Sequence, residues 1–226
     1  MTETPIGTSP ARALILSGGW PGHQPHQFAA LIRGMLEESG LEVTDATTLE
    51  ALEDADALRD YALIVPNWTM DKLTGEQSRN LRAAVETGTG LGGFHGGMGD
   101  AFREDTDYQF MVGGQFASHP GNIRRYRVEV TALDHPVTRG LGGFEIESEQ
   151  YYMHVDPSNT VLATTTFDDQ VLPWIAGTVM PVAWTRPYGQ GRVFYSSVGH
   201  DPREFGHSTV AELHRRGLLW AAGRLA

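Results

Sequence analysis

The sequence predicts an α/β domain with a mainly parallel central sheet and an antiparallel extension in its second half. Three observations carry that class. Short apolar runs alternate with helical patterns through the first half, which calls for a parallel sheet covered on both faces by right-handed crossovers. The second half changes to alternating strands and a glycine hairpin. The 226 residues, 40% hydrophobic and 20% charged, suffice for one core without covalent staples, so residues 1–226 are read as a single domain.

The elements follow in order. Ala13–Leu16 is a buried strand that runs into the loop Ser17-Gly18-Gly19. Phe28, Leu31, Ile32, Met35 and Leu36 share one helical face, and Gly40 stops that helix before a second strand over Leu41–Asp45. Tyr61–Pro66 is a third strand. Thr74 and Gln77 have the spacing of a capping box, with Leu81, Ala84 and Val85 facing inward from the helix they start. Gly88 and Gly90 end it, and Leu91–Phe94 is a fourth strand.

Beyond this, Arg125–Ala132 alternates apolar and polar residues as a half-exposed strand does. Further strands are expected at Phe144–Glu147, Val161–Phe167, Pro181–Thr185 and Arg192–Ser197, with Tyr188-Gly189-Gln190-Gly191 as a hairpin turn. Val210, Leu213, Gly217, Leu218 and Ala221 form the stripe of a closing helix.

Composition excludes several functions. There is no cysteine, so there is no disulfide, thiolate nucleophile or thiolate metal site, and cysteine amidotransferase chemistry is ruled out. A formal charge of −11 repels nucleic acid and anionic membranes; Arg124-Arg125 and Arg215-Arg216 are too short to reverse it. No apolar run approaches the ~20 residues of a membrane span. Residues 1–10, rich in Thr, Pro and Ser, read as a flexible tail without the basic and apolar regions of a signal peptide, and the expected location is the cytoplasm.

Ligands of open α/β sheets bind beyond the carboxyl ends of the strands. Those ends carry Ser17-Gly18-Gly19-Trp20-Pro21-Gly22-His23, Pro66-Asn67-Trp68 and Phe94-His95-Gly96-Gly97, three segments expected to converge on one edge. The glycines around His95 suit the tight strand-to-helix turn that elsewhere presents a nucleophile. His95 there can act as a base, a metal ligand or a hydrogen-bond donor. His23, His119 and His200 lie in loops without an evident structural duty. His154 follows the run Glu147–Met153, whose acidic and aromatic residues suit a carbohydrate. His26, His135, His207 and His214 read as cap, turn, helix-start and core or surface residues.

His23, His95, His119, His154 and His200, with Glu149, are candidates to hold zinc or another divalent ion, although no pair has a tight ligand spacing such as HExxH. A metal-free cleft of acid–base histidines is the equal alternative. The glycines at 18, 19 and 22 lack the spacing of a nucleotide fingerprint.

Taken together, Leu91–Gly97, Gly113–Phe116 through His119-Pro120, Asp134–Val137, Met180–Arg186 continuing through Tyr188–Tyr195 to Gly199-His200, and Leu219–Ala221 resemble the ThuA-like (trehalose utilisation) family of the class I glutamine amidotransferase-like superfamily. The resemblance spans nearly the whole chain. It implies a flavodoxin-like, three-layer amidotransferase-related fold in which His95 stands where the superfamily normally places cysteine. It also implies a role in disaccharide use through 3-keto sugars, and self-association as a homodimer. Within it, the short stretch Asp168–Thr178, with Trp174 near its middle, is where substrate differences are expected.

The resulting expectation is an enzyme acting on a small sugar or keto-sugar by isomerisation, epimerisation or elimination. His95 is the expected base and His119 or His200 the oxyanion partner. His23, Trp68, Glu149, Tyr151, His154 and Trp184 are expected to bind substrate. A non-catalytic sugar-binding or regulatory module and a metal-dependent hydrolase are the alternatives.

Overall fold

Strand β1 (Arg12–Gly19) shows how the sheet is built, because its apolar residues serve two layers. Ala13 and Ile15 point to one face and join the core under α1 (Pro25–Glu38) and the C-terminal α6 (Ser208–Ala221). Leu14 and Leu16 point to the other and join Leu58 of α2 (Ala55–Arg59), Leu81 of α3 (Gly75–Glu86) and Met111 of α5 (Thr106–Val112). A strand buried on both faces therefore reads as a continuous apolar run rather than an alternation. The computed structural model describes residues 10–225. The tail expected over residues 1–10 lies outside them except for Pro10.

Among the described residues nine strands form one mixed sheet between two helical layers. Its order is β2 (Glu42–Ala46), β1, β3 (Leu63–Thr69), β4 (Gly90–Phe94), β11 (Gly191–Ser196), β10 (Val179–Tyr188), β9 (Thr160–Thr166), β6 (Ile123–Val130) and β7 (Phe144–Glu149). The joints from β2 through β11 are parallel, and those from β11 through β7 are antiparallel. The antiparallel extension thus equals the parallel half in extent. It is anchored by the predicted hairpin, in which Tyr188 pairs with Gly191.

Local chemistry matches the predicted punctuation. Thr74 Oγ1 accepts from the Gln77 amide at 3.1 Å while the Gln77 side chain accepts from the Thr74 amide at 3.0 Å, completing the capping box. Gly40 adopts φ +85° after α1, the left-handed conformation that glycine tolerates at a helix end. The predicted stripe of α6 is buried throughout. His207 caps that helix by accepting from the Thr209 amide, as a helix-start residue should.

Two strands lie outside the sequence expectation. β5 (Gly114–Ser118) and β8 (Tyr152–Val155) pair with each other as a separate antiparallel ribbon. The short helices α2, α4 (His95–Gly99) and α5 were likewise not expected. Among the described residues no helix is long and apolar enough to cross a membrane.

Candidate active site

Because β1, β3, β4 and β11 run parallel, their carboxyl ends share one edge of the sheet. β1 continues into a single 3-10 turn, Pro21–His23, which swings His23 back over that edge. The Trp20 amide donates to the Thr69 carbonyl at 2.9 Å, tying this turn to the end of β3. β4 ends at Phe94, and His95 opens α4 with φ +46°, a left-handed conformation costly for a side chain with a Cβ. This is the tight turn anticipated from the glycines. Its tightness also explains Gly96: a Cβ there would stand 2.4 Å from Cε1 of His23 and 2.6 Å from its Nδ1.

His95 is 1% exposed and held on every side. Its Nδ1 lies 2.9 Å from the Ser197 carbonyl, which only accepts, so Nδ1 carries the proton. The Tyr195 hydroxyl donates to the His95 carbonyl at 3.2 Å. The other ring nitrogen, Nε2, meets the Tyr151 hydroxyl at 2.8 Å, Glu149 Oε2 at 3.1 Å and His200 Nδ1 at 3.3 Å. Tyr151 stacks on the His95 ring at a centroid separation of 4.1 Å. Glu149 ends β7, Tyr151 lies in the connection from β7 to β8, and His200 comes from the loop after β11. His23 completes the group edge-on to His95 at 4.8 Å, with its Nδ1 2.9 Å from Thr69 Oγ1.

The electrostatics divide these groups. Burial lowers the His23 pKa to about 3, assisted by the neighbouring His95 and His200, so its imidazole is neutral near pH 7. Burial opposes ionisation of Glu149, yet the neighbouring His200 and His95 outweigh it and hold the carboxyl well below the usual range. The hydrogen bond to Glu149 raises His200. Burial pushes the Tyr151 phenol up, keeping it a hydroxyl.

Beside this group lies a cavity of about 220 Å³. Its walls include Trp20, Arg103, Phe116 and His119, with Glu149, His23 and Tyr151 at the reactive end. His119 stacks against Phe116 at 5.6 Å, and its Nε2 is 3.8 Å from Glu149 Oε1. Its Nδ1 is buried without a protein partner. Arg103 is clamped by Asp100 through two hydrogen bonds of 2.5 and 2.7 Å. His200 also borders a second, more open cavity of about 550 Å³, together with Asp201, Arg203, Glu204 and His207.

The structure therefore brings together His23, His95, His119, Glu149, Tyr151 and His200. It leaves three of the sequence candidates elsewhere. Trp184 is fully buried in the core, its indole N–H donating to the Val112 carbonyl at 2.9 Å. Trp68 is buried against Gly18, with its indole nitrogen 2.8 Å from Asp71 Oδ2. His154 is exposed on β8, because the inward position of that strand belongs to Met153. Trp174 is 78% exposed, and no residue of Asp168–Thr178 lines the cavity beside His23. Asp100 and Arg103 were missed. Their only sequence signal was an acid–base spacing of three residues, common on any helix end.

The sequence model of the ThuA family, described as trehalose utilisation, matches residues 12–221. No curated protein sequence matches the chain. Among solved structures, a ThuA-like protein from Bacteroides uniformis is similar with a TM-score of 0.78 and 20% identity, covering 97% of this chain and 95% of its own. One from Parabacteroides merdae gives 0.76 and 18%, covering 96% and 92%. A cytoplasmic protein from Salmonella typhimurium gives 0.63 and 13%, covering 93% and 98%. At such identities the structural likeness shows the fold. The family match is the stronger statement: it begins with the first residue of β1 and ends with the last of α6, and the chain belongs to the ThuA family.

Proposed function

We propose that this protein is an enzyme acting on a sugar or keto-sugar, seated in the cavity with its reacting carbon facing the His95 group. The family's link to trehalose use supports the substrate class. So does the cavity, which offers aromatic faces from Trp20 and Phe116 beside polar groups from Arg103, Glu149 and His119. A ketone acidifies its neighbouring C–H bond, and abstracting that proton needs one group to polarise the oxygen and another to take the proton.

The observation that carries this reading is the fixation of His95 by the Ser197 carbonyl, Tyr151, Glu149 and His200 at 2.8–3.3 Å. A ring so held suits positioning of the oxygen-polarising groups better than the proton-abstracting role first expected of it. His119 suits the latter: it lines the cavity, its side chain is 34% exposed, and its approach to Glu149 is loose. In this reading His200, held by His95 and Glu149, polarises the oxygen as the electrophilic pole, Tyr151 donates a hydrogen bond to His95, and His119 moves the proton. The outcome is isomerisation, epimerisation or β-elimination of the glycosidic bond. The fold shared with a cytoplasmic Salmonella protein supports a cytoplasmic location.

The test is incubation with 3-keto-trehalose and 3-keto-glucosides in D2O, with products and α-deuteration followed by NMR. Exchange that disappears in His119→Ala and His95→Ala supports the proposal. Binding without exchange or turnover in the native protein refutes it and favours a non-catalytic sugar-binding module.

A further inference from the structure

The electrophilic pole carries an unsolved charge problem. His95 Nδ1 bears its proton toward the Ser197 carbonyl, so in the neutral ring Nε2 is a bare lone pair. That lone pair faces Glu149 Oε2 at 3.1 Å and His200 Nδ1 at 3.3 Å, and His200 Nδ1 is 3.3 Å from the same carboxylate oxygen. One proton on His200 satisfies its contact with Glu149 and leaves the carboxylate against His95 Nε2. The Tyr151 hydroxyl donates to that lone pair at 2.8 Å, but the carboxylate still faces it, and a cation shared among the three groups would relieve that contact.

We propose that His23, His95, His200 and Glu149 hold one divalent first-row transition-metal ion. Ligand atoms from all four lie within 4.8 Å of one another. Three of them, His95 Nε2, His200 Nδ1 and Glu149 Oε2, form a nearly equilateral triangle with edges of 3.1, 3.3 and 3.3 Å. An ion ~2.1 Å from each would see angles of roughly 100°, between tetrahedral and octahedral values. Supporting contacts aim the rings as second partners of ligating histidines do: Ser197 holds Nδ1 of His95, and Thr69 holds Nδ1 of His23, leaving Nε2 as its free donor. Three imidazoles and one carboxylate suit zinc, cobalt or manganese, whereas magnesium and calcium prefer oxygen ligands throughout. His23 and Glu149 both line the 220 Å³ cavity, so an ion here would face the space assigned to substrate.

This inference deepens the proposed reaction, naming the source of carbonyl polarisation, but its test needs no substrate. The full-length protein, treated with chelator and dialysed, is titrated calorimetrically with Zn2+ at neutral pH, and separately with Co2+ while visible absorption is recorded. The expected result is one equivalent per chain, d–d bands of a four- or five-coordinate cobalt ion, and no heat from millimolar Mg2+ or Ca2+. Glu149→Gln and His200→Ala are each expected to weaken Zn2+ binding more than about 100-fold, since loss of a mere supporting partner costs about 10–100-fold. His119→Ala is expected to retain one equivalent.

Circular dichroism and urea midpoints establish that the variants fold. His200, partly exposed, is the substitution most tolerable to the fold. Absence of stoichiometric binding, or binding unchanged in both ligand variants, overturns the proposal. Turnover of a keto-sugar by metal-stripped protein overturns the metal centre while sustaining the sugar reading. A bound ion without turnover does the reverse.

Discussion

Gly96→Ala isolates the packing that holds His23 over the site. The new methyl would lie 2.4 Å from Cε1 of His23, 2.6 Å from its Nδ1 and 3.3 Å from Thr69 Cγ2, and contacts below 3.0 Å force a displacement. The backbone of α4 is fixed by the turn at His95, so the imidazole is what moves, by about 1 Å to regain van der Waals separation. That shift breaks the 2.9 Å contact with Thr69, worth about 1 kcal/mol, and adds an overpacking cost of about 1–3 kcal/mol. Replacing a helical glycine returns about 1 kcal/mol through propensity. The net expectation is a loss of about 1–3 kcal/mol in urea unfolding. In a His23→Ala background the clash is gone, and the same substitution should be neutral or stabilising by up to about 1 kcal/mol. The coupling energy of the double-mutant cycle is therefore about 1–4 kcal/mol. Equal costs in the two backgrounds would refute the assignment of Gly96 as the seat of the His23 ring.

Three further outcomes follow from the geometry. His214 is fully buried among Phe94, Phe205 and the carbonyls of Val198 and Val210, and burial lowers its pKa to about 4. Between pH 6.5 and 4 the unfolded chain takes up a proton that the folded chain refuses, so stability is lost as pH falls. The expected drop from this group is about 2–3 kcal/mol between pH 7 and 4.5, and His214→Leu should show that much less pH dependence in its unfolding free energy. Thr74→Ala removes the capping hydroxyl of α3 and should cost about 1 kcal/mol in the same assay, while Thr74→Ser should cost little. At position 95, His95→Gly should be more stable than His95→Ala by about 1–2 kcal/mol, because φ +46° is strained for alanine and free for glycine; equal stabilities would place the elbow in a different conformation.

Most of the fold was legible because burial and periodicity coincide in it. β1 and β3 are buried on both faces and appear as unbroken apolar runs, while β6 is buried on one face and appears as an alternation. The ribbon of β5 and β8 was not legible for the same reason in reverse. Its residues from Gly114 to Ser118 are half-buried or exposed, so the strand carries no apolar signal, and its pairing is set by tertiary contact with β8. α4 was hidden differently. His-Gly-Gly-Met-Gly has poor helix propensity, and it turns helical because small residues let it fit between Asn67 of β3 and Tyr195 of β11.

The site was legible where backbone chemistry constrained the residue and illegible where only side-chain direction decided. Glycines flanking His95 announced a tight turn, and the turn fixed where its ring had to go. Strand ends announced His23 and His200. From the end of β7 into β8 the run Glu149–His154 offered three candidates, Glu149, Tyr151 and His154, and the sequence could not say which of them faced inward. Glu149 and Tyr151 face the histidines; one strand position later the alternation sends Met153 in and His154 out. The two tryptophans follow a related logic. Each is large enough to fill core volume and needs only one acceptor for its N–H, which Val112 and Asp71 supply, so neither is left for a ligand. Histidine has no such resting place at this edge. Three polar groups, Tyr151, Glu149 and His200, crowd one lone pair of His95, and a fold that merely needed packing there would have placed an apolar side chain at this turn. The arrangement concentrates acceptors where they repel, which is costly unless something positive is shared among them. That cost, borne at the one left-handed residue of the strand-to-helix turn, is the physical ground for treating this edge as the working part of the molecule.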